Sequence, residues 1–238
     1  EKFLKQTENK KIQVISHHDT DGICSAAIMV TALQRLDKNF SVRILKQLEK
    51  EIIEDLPKDS VLIFLDLGCG DGLNISILRK MGKKKIVGID ISEELLREAR
   101  KANPDVKVLL ASAEKIPFKE NTFDVVLVDS VFHHLMRYGK TLKEIKRVLK
   151  PGGKLCFSEP HKSIFRTMYD YFSISPFAKF IPFFRERGKA YLGEVKFMKH
   201  WLATEDDFCN QLKEIGFIEK LHKIDILSVI GIYEKPKD

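Results

Sequence analysis

The stretch Val61-Leu62-Ile63-Phe64-Leu65-Asp66-Leu67-Gly68-Cys69-Gly70-Asp71-Gly72 decides the fold. Five apolar residues open it, the pattern of a strand buried on both faces. A carboxylate follows, then glycines at 68, 70 and 72, then the apolar-periodic run Leu73–Leu78. Strand, glycine turn and helix in that order make a backbone that a ligand can approach closely. The helix start behind the turn offers unpaired N–H groups. The glycines are spaced GxGxG, with Leu at position 73. A dinucleotide fingerprint requires GxGxxG, so the spacing argues against NAD and a bound pyrophosphate.

Outward from this point, short apolar segments recur at Lys85–Ile89, Val106–Leu110, Val125–Val128 and Lys154–Ser158. Helical segments separate them. Ser92 is placed to cap a helix whose first turn carries Glu93 and Glu94, where carboxylates favour the positive end of the helix dipole. Thr141 and Glu144 have capping-box spacing ahead of Ile145, and Pro151-Gly152-Gly153 is expected to end that helix. The alternation predicts an α/β fold: a Rossmann-like doubly wound sheet, mostly parallel. Thr204–Ile215 reads as a helix closed by Gly216. Phe217–Leu221 and Ile224–Tyr233 read as strands joined at His222-Lys223, a connection short enough to force an antiparallel pair at the C-terminus. Residues 1–60 read as an N-terminal β-α-β-α extension. Asp90 ends the second apolar segment of the central region, where a carboxylate can accept ribose hydroxyls.

Composition bounds the rest. The 238 residues carry 41 Lys and Arg against 34 Asp and Glu, a net charge of +7. With acidic residues this numerous, the excess reads as a solvated Lys-rich surface before it reads as a nucleic-acid footprint. No run approaches the ~18 apolar residues of a membrane span. The four cysteines, Cys24, Cys69, Cys156 and Cys209, form no CxxC pair. That fits a reducing, cytoplasmic compartment and no zinc site.

Residues 61–159 resemble the class I S-adenosylmethionine-dependent methyltransferases, in particular the group that includes the ubiquinone and menaquinone enzymes. The segments LDLGCGDG, VGIDIS, ASAEKIPF, NTFDVVLVDSVFHHL and LKEIKRVLKPGGKL carry the resemblance. It extends over residues 61–238 as one methyltransferase domain, becoming weaker after 160. It implies S-adenosylmethionine as cofactor. Asp66, Gly68, Cys69 and Gly70 would surround its methionine part, Asp90 would hold the ribose, and Ile91 would flank the adenine. Ser112 and Ala113 would lie at the adenine edge, and Asp129 and Ser130 would border the transferred methyl group. Holding a nucleophile in line with the sulfonium methyl supplies much of the rate by proximity. A base is needed only for a protonated nucleophile. His133 and His134 are the catalytic candidates, with Glu159 and His161 also beyond strand ends. Residues 160–203, rich in aromatics such as Phe172, Phe180, Phe184 and Trp201, read as an inserted lid over a small, apolar or aromatic acceptor. The stretch Asp129-Ser130-Val131-Phe132 lacks the NPPY-like tetrapeptide of adenine-modifying enzymes, which disfavours nucleic acid as partner. Nothing in the sequence sets an oligomeric state.

A second resemblance covers residues 12–66. IQVISHHDTDGICSAAIM is similar to the first motif of the DHH phosphoesterases, close to RecJ-like nucleases. His17, Asp19, Asp21 and Asp66 match its metal-binding positions. The DHH triplet and the later substrate motif are absent, so no competent metal site is expected. Both resemblances claim the strand Val61–Leu65, and a strand has only two edges. The chain therefore reads as the front of a phosphoesterase joined to a nearly complete methyltransferase. The alternatives to a methyltransferase are a metal-dependent phosphoesterase and a non-catalytic cofactor-binding module.

Overall fold

The structure is a computed structural model that describes residues 12–17, 40–45, 62–163, 171, 182–225 and 228–237, with the backbone alone for 12–17, 40–45 and 182–194. The chain divides into two compact units, Glu1–Leu48 and Glu49–Asp238.

In the first unit, β1 (Ile12–His17) and β2 (Phe40–Leu45) pair in parallel, Ile12 opposite Phe40. Parallel neighbours need a crossover connection, in keeping with the expected β-α-β order. The segments expected to be helical, and with them Asp19 and Asp21, lie outside the described residues. His17 is the last residue of β1.

The second unit is built on a seven-stranded sheet. Its strands are β3 (Ile63–Leu67), β4 (Lys85–Asp90), β5 (Lys107–Leu110), β6 (Phe123–Asp129), β7 (Leu149–Pro160), β8 (Ile218–Ile224) and β9 (Ser228–Glu234). They lie in the order β5-β4-β3-β6-β7-β9-β8. β3 to β7 are mutually parallel; β9 runs antiparallel between β7 and β8. The doubly wound sheet with a reversed C-terminal strand is thus as expected. β3 pairs on one edge with β4 and on the other with β6. The strand order reverses there, and open α/β sheets bind ligands in the crevice beyond such a point.

Helices α1 (Leu73–Lys80), α2 (Glu93–Ala102), α3 (Gly139–Val148) and α4 (Pro182–Glu214) join the strands. Leu65, Leu67, Val126, Val128, Leu155 and Phe157 share a core with Leu142, Ile145 and Val148 of α3 and with Trp201, Phe208 and Leu212 of α4. On the opposite face Gly88 of β4 lets Ile75 of α1 and Cys69 close in on the strand.

Several local expectations shift. Ser92 caps α2 as expected, its hydroxyl accepting the Leu95 N–H at 3.3 Å. Thr141 and Glu144 do not form a capping box. The helix already begins at Gly139, because Tyr138 is buried against Trp201 and Phe208. Glu144 instead accepts the Ile116 N–H at 2.9 Å and pairs with Arg147 at 2.7 Å, which lowers its carboxyl from the ordinary range. α3 ends at Val148, ahead of Pro151-Gly152-Gly153. Leu149 already pairs with Phe123, while Lys154 pairs with Val125, so the intervening residues bulge out of β7. The C-terminal hairpin forms, but its turn follows Ile224, with Asp225 N–H bonded to the Ser228 carbonyl at 2.8 Å. His222 and Lys223 are inside β8, where they pair with Gly231 and Ile230.

The largest difference is α4. The expected helix Thr204–Ile215 is the end of a continuous helix from Pro182, so residues 182–203 of the expected lid are helical. Among its residues described with side chains, Met198, Trp201, Glu205, Phe208 and Leu212 are buried, spaced three and four apart as one face of a helix requires. Gly216 closes it: its N–H bonds the Lys213 carbonyl and the Phe217 N–H bonds that of Leu212, the paired bonds of a Schellman end. Trp201 also donates its indole N–H to the Pro160 carbonyl at 2.6 Å. The two ends of the 160–203 segment are therefore stapled together.

Trp201→Ala is expected to destabilise the protein by about 3–5 kcal/mol. Trp201→Phe, which keeps most of the volume but leaves the Pro160 carbonyl without its donor, is expected to cost about 1–3 kcal/mol. Urea unfolding of the two variants checks the order.

Candidate active site at the carboxyl edge of the sheet

The loop after β3 has three glycines in the left-handed region, the last of them, Gly72 (φ +82°), at the start of α1. Gly68 (φ +74°) is pressed against Val131, so that a side chain there would collide with it. Gly70 (φ +52°) faces open space: nothing lies within 4 Å of where a Cβ would be. The N–H groups of Gly68 and Cys69 are both turned back onto the Ile89 carbonyl, at 2.8 and 3.0 Å. The loop is thereby anchored to β4 while its tip at Gly70 stays open.

Asp90, the last residue of β4, fixes that tip. Its carboxylate accepts the Gly70 N–H at 2.9 Å on one oxygen and the Ser92 N–H at 2.8 Å on the other. A carboxylate has about four lone-pair sites, so two remain for hydroxyl donors. Ile91, next in the chain, is 76 % exposed, as is Leu110 at the end of β5 to a lesser degree. The Ala111 N–H bonds the Asp90 carbonyl at 2.9 Å and draws the β5 end to the same place. Ser112 and Ala113 follow. The Ser112 hydroxyl accepts the Glu114 N–H at 3.2 Å and so holds its own turn. Ala113 packs on the core.

Asp66 is fully buried at the end of β3. Cys69 is buried too. Its side chain points at Gly88, and burial together with the nearby Asp66 and Asp90 pushes its thiol far up. Only its backbone takes part in the loop. At the end of β6, Asp129 accepts the Asn74 amide at 3.3 Å and the Ser130 hydroxyl at 3.1 Å. Ser130 sits at φ +58°, a conformation unusual for a residue with a side chain and concentrated at functional sites.

Beyond Ser130 the chain makes one 3-10 turn, Phe132–His134. Glu159 of β7 is buried beneath it and accepts the N–H groups of Val131 and Phe132, each at 2.7 Å, and of His133 at 3.3 Å. The His133 ring pairs with the same carboxylate through Nδ1 at 2.7 Å, with 6 % of its side chain exposed. A buried carboxylate that gathers four donors at a helical N-terminus is a positioning device. His134 is exposed and packs on the His133 ring at a centroid distance of 4.0 Å.

The structure places Asp66, Gly68, Gly70, Asp90, Ile91, Asp129 and Ser130 at or just beyond the carboxyl ends of the adjacent strands β3, β4 and β6, and Ser112 and Ala113 beside the end of β4. It separates His133, which is locked by Glu159, from the exposed His134. Asn74 was not singled out by sequence. Its only signal is its place in the first turn after the glycine loop, and its link to Asp129 depends on the pairing of β3 with β6.

Residues 65–157 match the methyltransferase domain family. An uncharacterized 37.1 kDa protein in transposon TN4556 of Streptomyces fradiae is 32 % identical over 136 residues, 55 % of this chain and 39 % of that one. The chain thus spans less than half of that protein's length. The ubiquinone/menaquinone biosynthesis C-methyltransferase UbiE of Rickettsia bellii is 32 % identical over 201 residues, 79 % of this chain and 80 % of the enzyme. The chain belongs to the S-adenosylmethionine-dependent methyltransferases. A methyltransferase structure from Methanosarcina mazei shares the fold, with a TM-score of 0.59 at 20 % identity over 81 % of this chain and 100 % of that one. S-adenosylmethionine is therefore the cofactor of this methyltransferase. The crevice fits it: Gly70 opens onto free space, and Asp90 retains acceptor capacity beside that space.

Gly70→Val is expected to abolish binding of S-adenosylhomocysteine while the protein stays folded. Normal binding would show that the loop is only a turn. Asp90→Ala is expected to weaken binding by roughly 1.5–3 kcal/mol and to loosen the loop as well. Calorimetry with S-adenosylhomocysteine, alongside thermal melts, separates the two effects. Unchanged affinity in Asp90→Ala would remove Asp90 from the site.

Proposed function

We propose that this methyltransferase transfers the methyl group of S-adenosylmethionine to a small hydroxylated aromatic acceptor. The observation that carries this reading is the similarity to the Rickettsia enzyme. It takes in 79 % of the chain, and so reaches well past the cofactor motifs into the aromatic segment 160–203. That segment is the expected lid. The contact of Trp201 with Pro160 closes its base.

In this reading Asp66, Gly68, Cys69 and Gly70 surround the amino-acid part of the cofactor, Cys69 through its backbone. Asp90 accepts the ribose hydroxyls, and Ile91, Ser112 and Ala113 border the adenine. Asp129 and Ser130 stand next to the transferred group. When bound, the cofactor supplies an electrophilic methyl on a sulfonium. The chain's task is to hold the acceptor in line with it and to keep water out. His133 orients the turn after β6 and His134 flanks the acceptor side. A small molecule rather than nucleic acid is the acceptor, and among the described residues no helix is long and apolar enough to cross a membrane.

The front unit does not add phosphoesterase chemistry in this reading. Paired-metal hydrolysis needs two ions ~3.5–4 Å apart. Asp66, the fourth of the matching positions, is buried in β3 between β4 and β6.

Labelled S-adenosylmethionine with a panel of reduced, short-chain prenyl naphthoquinols and benzoquinols tests the acceptor. Label on a ring carbon is the expected result. Transfer to none of them, or to RNA instead, would overturn the reading. Incubation of single-stranded DNA or RNA with manganese is expected to yield no cleavage. Cleavage lost in both Asp19→Ala and Asp21→Ala would reinstate the phosphoesterase.

A further inference from the structure

The buried stripe of α4 contains one residue that does not belong to an apolar core. Met198, Trp201, Phe208 and Leu212 fill four of its positions, and Glu205 fills the fifth. Carboxylates are almost never buried without a partner. The partner is His161, the first residue after β7, whose Nδ1 lies 2.8 Å from Glu205 Oε1. A local rule broken inside an otherwise consistent helix is expected at functional positions.

Among the described residues two carboxylate–histidine pairs stand at this edge of the sheet, and they differ in one respect. His133 is closed in, and its carboxylate is saturated by backbone donors. The His161 side chain is 21 % exposed, and among the described residues its hydrogen bond is made through Nδ1. A carboxylate on Nδ1 fixes the tautomer with the proton on that nitrogen. The lone pair is then on Nε2. The pair also lies at the base of the aromatic segment, one residue beyond Pro160 and four beyond Trp201 in their respective elements. β7 neighbours β6, whose end carries Asp129 and Ser130, and the Ser130 N–H is bonded to the Ser158 carbonyl at 2.9 Å.

We propose that His161 is the general base of the methyltransferase and that Glu205 is its positioning residue. The proposal rests on the reading of the acceptor as a hydroxylated aromatic. The acceptor's O–H bond breaks and its proton moves to Nε2; the electron pair left on oxygen makes the neighbouring ring carbon the nucleophile, which takes the methyl group from the cofactor's sulfur as that bond breaks. The carbon then loses its own proton to restore the ring while the oxygen regains one, so that one proton is released per methyl transferred. Glu205 balances the positive charge that the imidazole gains. The proton then passes to water from the exposed edge of the ring. The sequence alone gives His161 as one histidine among several; the buried Glu205 singles it out.

Two measurements test this. The first is turnover with the naphthoquinol panel. His161→Gln is expected to lower kcat at least ~100-fold, the low end for loss of a general base, with little change in KM or in S-adenosylhomocysteine affinity. Imidazole in solution should restore part of the activity of His161→Ala. Glu205→Gln, which keeps an acceptor on Nδ1 but not the charge, should fall between wild type and His161→Gln. The second needs no methyl transfer. With S-adenosylhomocysteine present, para-nitrophenol bound to the wild type should show more of its coloured anion than in water, and bound to His161→Gln it should not. A kcat that is unchanged in a folded His161→Gln, a loss that appears only in KM, or a probe that shows no His161-dependent ionisation would overturn the proposal. A wild type that methylates none of the quinols yet ionises the phenol through His161 would overturn the choice of acceptor and uphold the base.

Discussion

Both edges of β3 are occupied, by β4 on one side and β6 on the other, and the rest of the domain follows from that. The chain leaves β3 toward β4 and β5, then must return past it to lay down β6 and β7. The connections on either side of β3 diverge, which leaves a crevice beyond its carboxyl end. Gly68 has to pass beneath Val131 of the returning segment, and a side chain would not fit there. Gly70, two residues on, has no such neighbour. One glycine is required by packing inside the protein, the other by space kept for something else.

The loops at the carboxyl ends of β3 and β6 are each fixed by a carboxylate. Asp90 ties the glycine loop to the cap of α2, and Glu159 ties the turn after β6 to β7. Both loops also bury apolar groups, Cys69 in the first and Phe132 in the second. Charge-assisted bonds to backbone N–H groups are stronger than neutral ones, and they act on the loop's own main chain. The positive φ of Ser130 lies next to the second tether, and its N–H is fixed to the Ser158 carbonyl of the neighbouring strand.

The parts of the fold written in local pattern were legible in the sequence. The apolar segments from 61 to 158 gave every central strand, Ser92 gave its cap, and the glycine spacing separated this loop from a dinucleotide site. The misreadings have a shared cause, which is tertiary packing overriding a local signal. Thr141 and Glu144 have the spacing of a capping box, but Tyr138 is drawn into an aromatic cluster and starts the helix earlier. In the segment before Thr204, aromatic residues are so frequent that the helical period is obscured, although 198, 201, 205, 208 and 212 carry it plainly once Glu205 is counted as buried. A polar residue at a buried position is the one kind of site residue that a hydrophobicity pattern is built to discard. For the same reason Glu159 reads as a possible acid or base when its work is to hold backbone.

The two histidine–carboxylate pairs show why residue type alone does not assign chemistry. His133 and His161 each meet a buried glutamate through Nδ1 at hydrogen-bond distance. The pair at Glu159 already counts three backbone donors on its carboxylate, so a proton arriving at His133 would have to be accommodated inside a complete network with almost no access to water. Among the described residues no backbone N–H bonds the Glu205 carboxylate, and the His161 ring reaches the surface. A base must both take a proton and give it away within each turnover. Burial serves the first step by strengthening the carboxylate's pull, and defeats the second when it is complete. Only a ring that is partly enclosed satisfies both, and among the histidines paired with a carboxylate at this edge that condition falls on His161.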